Sequence, residues 1–148
     1  MVDDNRHHIP RRLEALVRDG LRGSRVVAVC GARQVGKSSL VRRFANESRP
    51  YVTLDDLGVL DRATRDPQGL LAGLPTHAIL DEVQRVPKLL LAIKSIVDQH
   101  ETRGHLLLTG SSNLPPAAPT GSHRASLRDN RIARGAPPTL RSNRRRRL

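Results

Sequence analysis

The sequence predicts an α/β fold: a mostly parallel sheet with helices on both faces, three layers in all. Three observations carry that expectation. Short, continuous apolar runs rich in β-branched residues recur along the chain, as buried parallel strands require. Between them lie segments whose apolar residues fall at helical spacing, the pattern of strand–helix–strand crossovers. The chain has 148 residues, enough to bury a real core but at most one domain.

Each element follows from its own residues. RRLEALVRDGL places Leu13, Leu16, Val17 and Leu21 on one helical face, and Gly20 and Gly23 mark its end. RVVAVC is a first buried strand. KSSLVRRFANE resumes helical spacing through Leu40, Val41 and Phe44. YVTLDD reads as a second strand. LGVLDRATRDPQGLLAGLP holds one or two short helical pieces interrupted by Pro67. HAILDE is a third strand. PKLLLAIKSIVDQHETRG opens on a proline and spaces Leu89, Leu90, Ile93, Ile96 and Val97 as a helix should. HLLLTG is a fourth strand.

The turn after the first strand carries the chemistry. Gly31-Ala32-Arg33-Gln34-Val35-Gly36-Lys37-Ser38 follows the pattern G-x-x-x-x-G-K-[ST] between an apolar strand and a helical segment. Gly31 and Gly36 permit backbone angles and close approaches that a Cβ would block. Successive N–H groups from Arg33 through Ser39 can then face phosphate oxygens as an anion nest, with the helix start adding its positive end. Lys37 would reach the β- and γ-phosphates of a nucleotide, and the Ser38 hydroxyl would ligate Mg²⁺.

Hydrolysis needs more than a cradle. The strand HAILDE delivers Asp81 and then Glu82 at its C-terminal edge, where open α/β sheets bind ligands. Asp81 would hold Mg²⁺, directly or through water, and Glu82 would orient or deprotonate an attacking water. The fourth strand ends in Thr109, Ser111, Ser112 and Asn113, any of which could face the γ-phosphate and that water.

Composition bounds the alternatives. The formal net charge is +12, but residues 115–148 hold nine arginines against the single acid Asp129, so the basicity is mostly a property of that segment. Its prolines cluster, and Leu127, Ile132 and Leu140 are too sparse to bury a face, which predicts a disordered tail. Arg144 to Arg147 could contact nucleic-acid phosphates nonspecifically. With Phe44 and Tyr51 the only aromatics, a stacking platform for single strands is excluded. The one cysteine, Cys30, excludes an internal disulfide framework. No apolar run approaches a membrane span and MVDDNRHHIPRR lacks a signal-peptide core, so the expected location is cytoplasmic, with no membrane partner.

Together GARQVGKSSL, YVTLDD, AILDEVQRVPKLLLAIKSIVD and LLLTGSSNL resemble the prokaryotic AAA-type ATPases, of the AAA+ superfamily, that precede a C-terminal domain of unknown function. The likeness runs from about Ile9 to Leu114, and residues 1–114 are read as an AAA-like P-loop domain, incomplete, with 115–148 as its tail. The resemblance implies ATP and Mg²⁺ as ligands, ATP hydrolysis, and strand order 5-1-4-3-2. It implies Lys37 and Ser38 at the phosphates, Asp81 and Glu82 as the acidic pair, and a polar sensor at the end of the fourth strand, the place taken here by Asn113. Such ATPases usually receive an arginine finger across a homo-oligomer interface of the intact protein; in this chain it is expected to be lost or unassignable. Gln84, within DEVQ, recurs in such motifs and receives no role.

Such proteins continue after TGSSNL with a helix and a fifth strand. Here the proline- and arginine-rich segment stands in that place, which predicts a truncated or frame-shifted member lacking the fifth strand. One edge of the first strand would then be unpaired, and stability and hydrolysis weakened or lost. The residues leave two other readings open: a small-molecule P-loop kinase and a basic nucleic-acid-binding protein.

Overall fold

Strand β1 (Val26–Cys30) alternates between two cores, and that alternation places every helix. Val27 and Val29, with Ile79 and Leu107 of neighbouring strands, pack on Leu13, Val17, Leu40 and Val41. Val26 and Cys30, with Ala78, Leu80, Leu106 and Leu108, pack on the opposite side against Leu70, Leu89, Ile93 and Val97. Successive strand residues point to opposite faces, so a run apolar at every position must be covered twice. The result is the predicted three-layer α/β/α arrangement. The computed structural model describes residues 11–111, 122–126 and 131–134.

One face is covered by α1 (Arg11–Gly23) and α2 (Lys37–Arg42). Leu13 and Val17 of the predicted α1 stripe are buried, while Leu16 and Leu21 pack at its margin. The second helix stops at Arg42, before the Phe44 that its spacing included, and Phe44 packs against the same core from the turn beyond. The other face is covered by α3 (Leu57–Arg65), α4 (Pro67–Ala72) and α5 (Pro87–Gln99). Among the described residues, no helix is long and apolar enough to cross a membrane.

The break between α3 and α4 shows how two residues set a boundary. Pro67 lacks an N–H and has φ fixed for a helix start, so it opens α4. Asp66 ends α3 and caps α4, its Oδ1 accepting the Gly69 N–H at 2.8 Å. Asp66→Ala is expected to destabilise the domain by about 1 kcal/mol, read as a lowered thermal midpoint with nucleotide affinity unchanged.

The sheet runs β2-β3-β4-β1-β5-β6, with β2 at Tyr51–Thr53, β3 at Ala78–Asp81 and β4 at Leu106–Gly110. Register pairs Val26 with Leu106 and Ala78 with Leu106, all parallel. The order of the first five strands is the one the family resemblance implies, read from the other side.

The expected loss of the fifth strand is corrected. Strand β5 (Ser122–Ser126) pairs in parallel with β1, Val26 opposite Ser122 through Cys30 opposite Ser126, and β6 (Arg131–Arg134) pairs antiparallel with β5. The unpaired β1 edge therefore does not arise. The physical reason is that a parallel ladder is made by main-chain N–H and C=O groups, which SHRAS supplies as well as an apolar run would. A reading based on apolar content does not register such a strand. The remainder of 115–148, including its expected disorder and Arg144 to Arg147, lies outside the described residues.

Candidate functional site

The C-terminal ends of β1, β3 and β4 meet at one edge of the sheet, and each delivers part of a single polar cluster. After β1 the chain enters the glycine-bearing turn. Gln34 sits at φ 62° and Gly36 at φ 90°, left-handed values that fold the loop back on itself. Among the described residues, no main-chain hydrogen bond outside the helix ties down the N–H groups of residues 33–35, and Arg33, Gln34 and Val35 are exposed. Main-chain donors not engaged elsewhere are what an anion requires. With only six residues, α2 offers a weaker axial dipole than the sequence implied.

Gly36 is the tightest constraint in the turn. An L-residue at φ 90° strains its backbone by about 1–2 kcal/mol. Gly36→Ala is therefore expected to lower the thermal midpoint modestly and weaken phosphate affinity at least tenfold, since the loop relaxes toward φ below zero and its donors disperse. Isothermal titration with nucleotide checks it.

Lys37 opens α2 and is 4% exposed. Its Nζ donates to the carbonyls of Ala32 at 2.7 Å and Gly31 at 3.2 Å, across its own loop. Beside it, the Ser38 hydroxyl donates to Asp81, 2.9 Å from Oδ1 and 3.0 Å from Oδ2.

Asp81, the last residue of β3, is 2% exposed. A buried carboxylate must be neutralised or hydrogen-bonded. Here it collects hydroxyls from three more directions: Tyr51 at 2.6 Å and Thr53 at 3.2 Å on β2, and buried Thr109 on β4. Burial, and then the carboxylate beside it, raises the Tyr51 phenol above its ordinary pKa and keeps it a donor. Thr109 was among the polar residues expected at the end of β4. Tyr51 and Thr53 were not, because only the β2–β3 register, which puts Thr53 opposite Asp81, brings them there.

Glu82 leaves the sheet with φ 61°, its N–H donating to Thr109 Oγ1 at 2.9 Å. The chain then makes a single 3₁₀ turn, Val83–Arg85, absent from the sequence expectation. Gln84 in that turn donates its amide to Glu82 Oε2 and accepts the Ser111 N–H at 3.2 Å. Arg85 pairs with Asp55. Asn113 and Ser112 lie outside the described residues.

Between these walls is a hollow of about 360 Å³ lined by Arg33, Lys37, Asp55, Glu82, Gln84, Arg85 and Ser111. A slightly larger hollow, about 390 Å³, lies at the other ends of the strands, where Thr76, His105 and Leu106 stand. Its lining includes no lysine, arginine or carboxylate, so it offers no counter-charge for a polyanion.

The donor set suits a hard cation. Ser38 Oγ and the Asp81 oxygens are 2.9–3.0 Å apart. A hydroxyl beside a carboxylate is the kind of oxygen donor set that Mg²⁺ takes together with phosphate and water. Among the described residues, no three His, Cys, Asp or Glu side chains converge as a metal cage. A magnesium ion held by one or two side chains, phosphates and water needs none.

The chain is similar to known proteins. A family model described as an AAA domain matches residues 23–127, from before β1 through β5. The chain is also 35% identical over 105 residues to an uncharacterized protein of Mycobacterium bovis, Mb2031c, and equally to one of Mycobacterium tuberculosis, Rv2008c. Those 105 residues are 70% of this chain and 23% of each relative, so the chain spans about a quarter of the proteins it matches. The family match takes in the glycine-bearing turn, the acidic pair and the polar end of β4, and the sheet has the strand order expected of such a domain. This chain belongs to the AAA domain family, and its core is an ATPase-like domain.

Proposed function

We propose that the domain binds ATP with Mg²⁺ and hydrolyses the β–γ phosphoanhydride bond. The observation that carries the reading is the Ser38–Asp81 contact beside a hollow walled by Lys37 and Glu82. It joins the phosphate turn to the acidic strand at one point.

In this reading the main chain of residues 31–36, with Ser39, cradles the phosphates, and Lys37 turns from the Gly31 and Ala32 carbonyls to the β- and γ-phosphates. Ser38 and Asp81 would hold Mg²⁺, which would supply positive charge against the charge developing on the transferred phosphoryl group. Tyr51, Thr53 and Thr109 fix the Asp81 carboxylate by donating to it. Glu82 orients a water and accepts its proton as the water oxygen bonds to the γ-phosphorus. The bond from that phosphorus to the bridging oxygen breaks, and ADP leaves with the electron pair. Asn113 completes the set as the residue sensing the γ-phosphate.

Titrating ATP and GTP into the protein, with Mg²⁺ and with chelator, while following affinity and phosphate release, tests the proposal. Mg²⁺-dependent binding of ATP with phosphate release is the expected result. Absence of binding to either nucleotide overturns it.

A further inference from the structure

We infer that Gln84 is a positioning residue that sets the Glu82 carboxylate against the end of β4. The inference rests on the ATP-hydrolysing reading above and adds to it how the water-orienting acid is held.

Glu82 stands just past the sheet, where nothing in a strand's geometry fixes its side chain. Its backbone is pinned: φ is 61°, its N–H donates to Thr109 Oγ1, and its carbonyl accepts the Arg85 N–H at 3.1 Å. The far end of its side chain, three rotatable bonds away, needs a second fixed point. Gln84 supplies it, because its own position is settled on both sides. Val83, immediately before it, is fully buried, and Arg85, immediately after, pairs with Asp55.

The orientation of the Gln84 amide follows from its neighbours. The Ser111 N–H can only donate, so the group it meets at 3.2 Å is the Gln84 carbonyl oxygen. The NH₂ is then left for Glu82 Oε2, an acceptor-only group when ionised. One carboxylate oxygen is held and Oε1 remains to take a water. A single side chain thus spans from the acid to Ser111, the first residue after β4, while Thr109 of the same strand holds both Asp81 and the Glu82 backbone. The metal-side and water-side acids share one reference, the end of β4.

Loss of this tether leaves nucleotide binding alone and slows the chemical step, since misplacing a catalytic group by about 1 Å can reduce rate by roughly 10²-fold. The test compares Gln84→Met, which keeps length and removes both hydrogen bonds, with Gln84→Glu, which keeps an acceptor for Ser111 and removes the donor to Glu82. Each is measured for Mg-ATP affinity at equilibrium, single-turnover phosphate release and thermal midpoint, alone and in a Glu82→Gln background. Expected are affinities within about twofold of wild type, release slowed about 10- to 100-fold in both variants, and little further slowing once Glu82 is already glutamine. Unchanged release, or slowing that multiplies in full with Glu82→Gln, overturns the inference. Wild-type protein that releases no phosphate, or Glu82→Gln that releases it normally, overturns the ATPase reading itself, and the two failures are therefore distinct.

Discussion

Replacing Glu82 by glutamine is expected to leave ATP bound and its hydrolysis slowed about 10²- to 10⁴-fold, the usual contribution of a positioned general base. The substitution is nearly isosteric and removes the basic oxygen while keeping an acceptor for the Gln84 amide. The fold has little reason to change: Glu82 is partly exposed, and its backbone bonds to Thr109 and Arg85 remain. Affinity for Mg-ATP should stay within about twofold, because the Glu82 side chain hydrogen-bonds to Gln84 and, among the described residues, to none of the phosphate turn, Ser38 or Asp81. Single-turnover phosphate release beside equilibrium titration makes the measurement. Release at the wild-type rate would place the water under another residue's control.

Removing the Lys37 ammonium is expected to act on binding instead. A hydrogen bond from a charged donor contributes about 1.5–3 kcal/mol, so Lys37→Met should weaken ATP roughly 10- to 100-fold. Methionine is the better probe than alanine. Lys37 is buried at the mouth of α2, and alanine would add an empty volume to the loss of charge. Either change strands the Gly31 and Ala32 carbonyls, which Lys37 satisfies, so the thermal midpoint of the ligand-free protein should fall as well. Adding Mg-ATP should then raise that midpoint markedly in the wild type and little in the variant. An affinity untouched by Lys37→Met would remove the turn from the site.

Much of this was legible from residues alone, for identifiable reasons. β1, β3 and β4 are covered on both faces, so each opens with a continuous apolar run, and polar residues enter β3 and β4 only at their C-terminal ends, Asp81 and Thr109. The breaks at Pro67 and Pro87 are written in backbone chemistry that no packing overrides. The phosphate turn is a local motif whose spacing and geometry coincide. What escaped depends on neighbours far along the chain. Tyr51 and Thr53 reach Asp81 through strand register, and Gln84 reaches Ser111 across a gap of 27 residues, so neither has a local signature. β5 escaped for a different reason. Its pairing is made by the main chain, while the proline- and arginine-rich surroundings of Ser122–Ser126 suggest no structure.

The place of β1 between two partners has a mechanical outcome. It holds five residue pairs with β4 on one side and five with β5 on the other, so it can open only by shearing two ladders together. Among the described residues the edge strands have one partner each, β2 through three pairs to β3 and β6 through four to β5. Thermal opening is therefore expected to start at the edge strands and to reach β1 last. The hydroxyls of Tyr51 and Thr53 can let go of the carboxylate and return while the stem that carries the phosphate turn stays rigid.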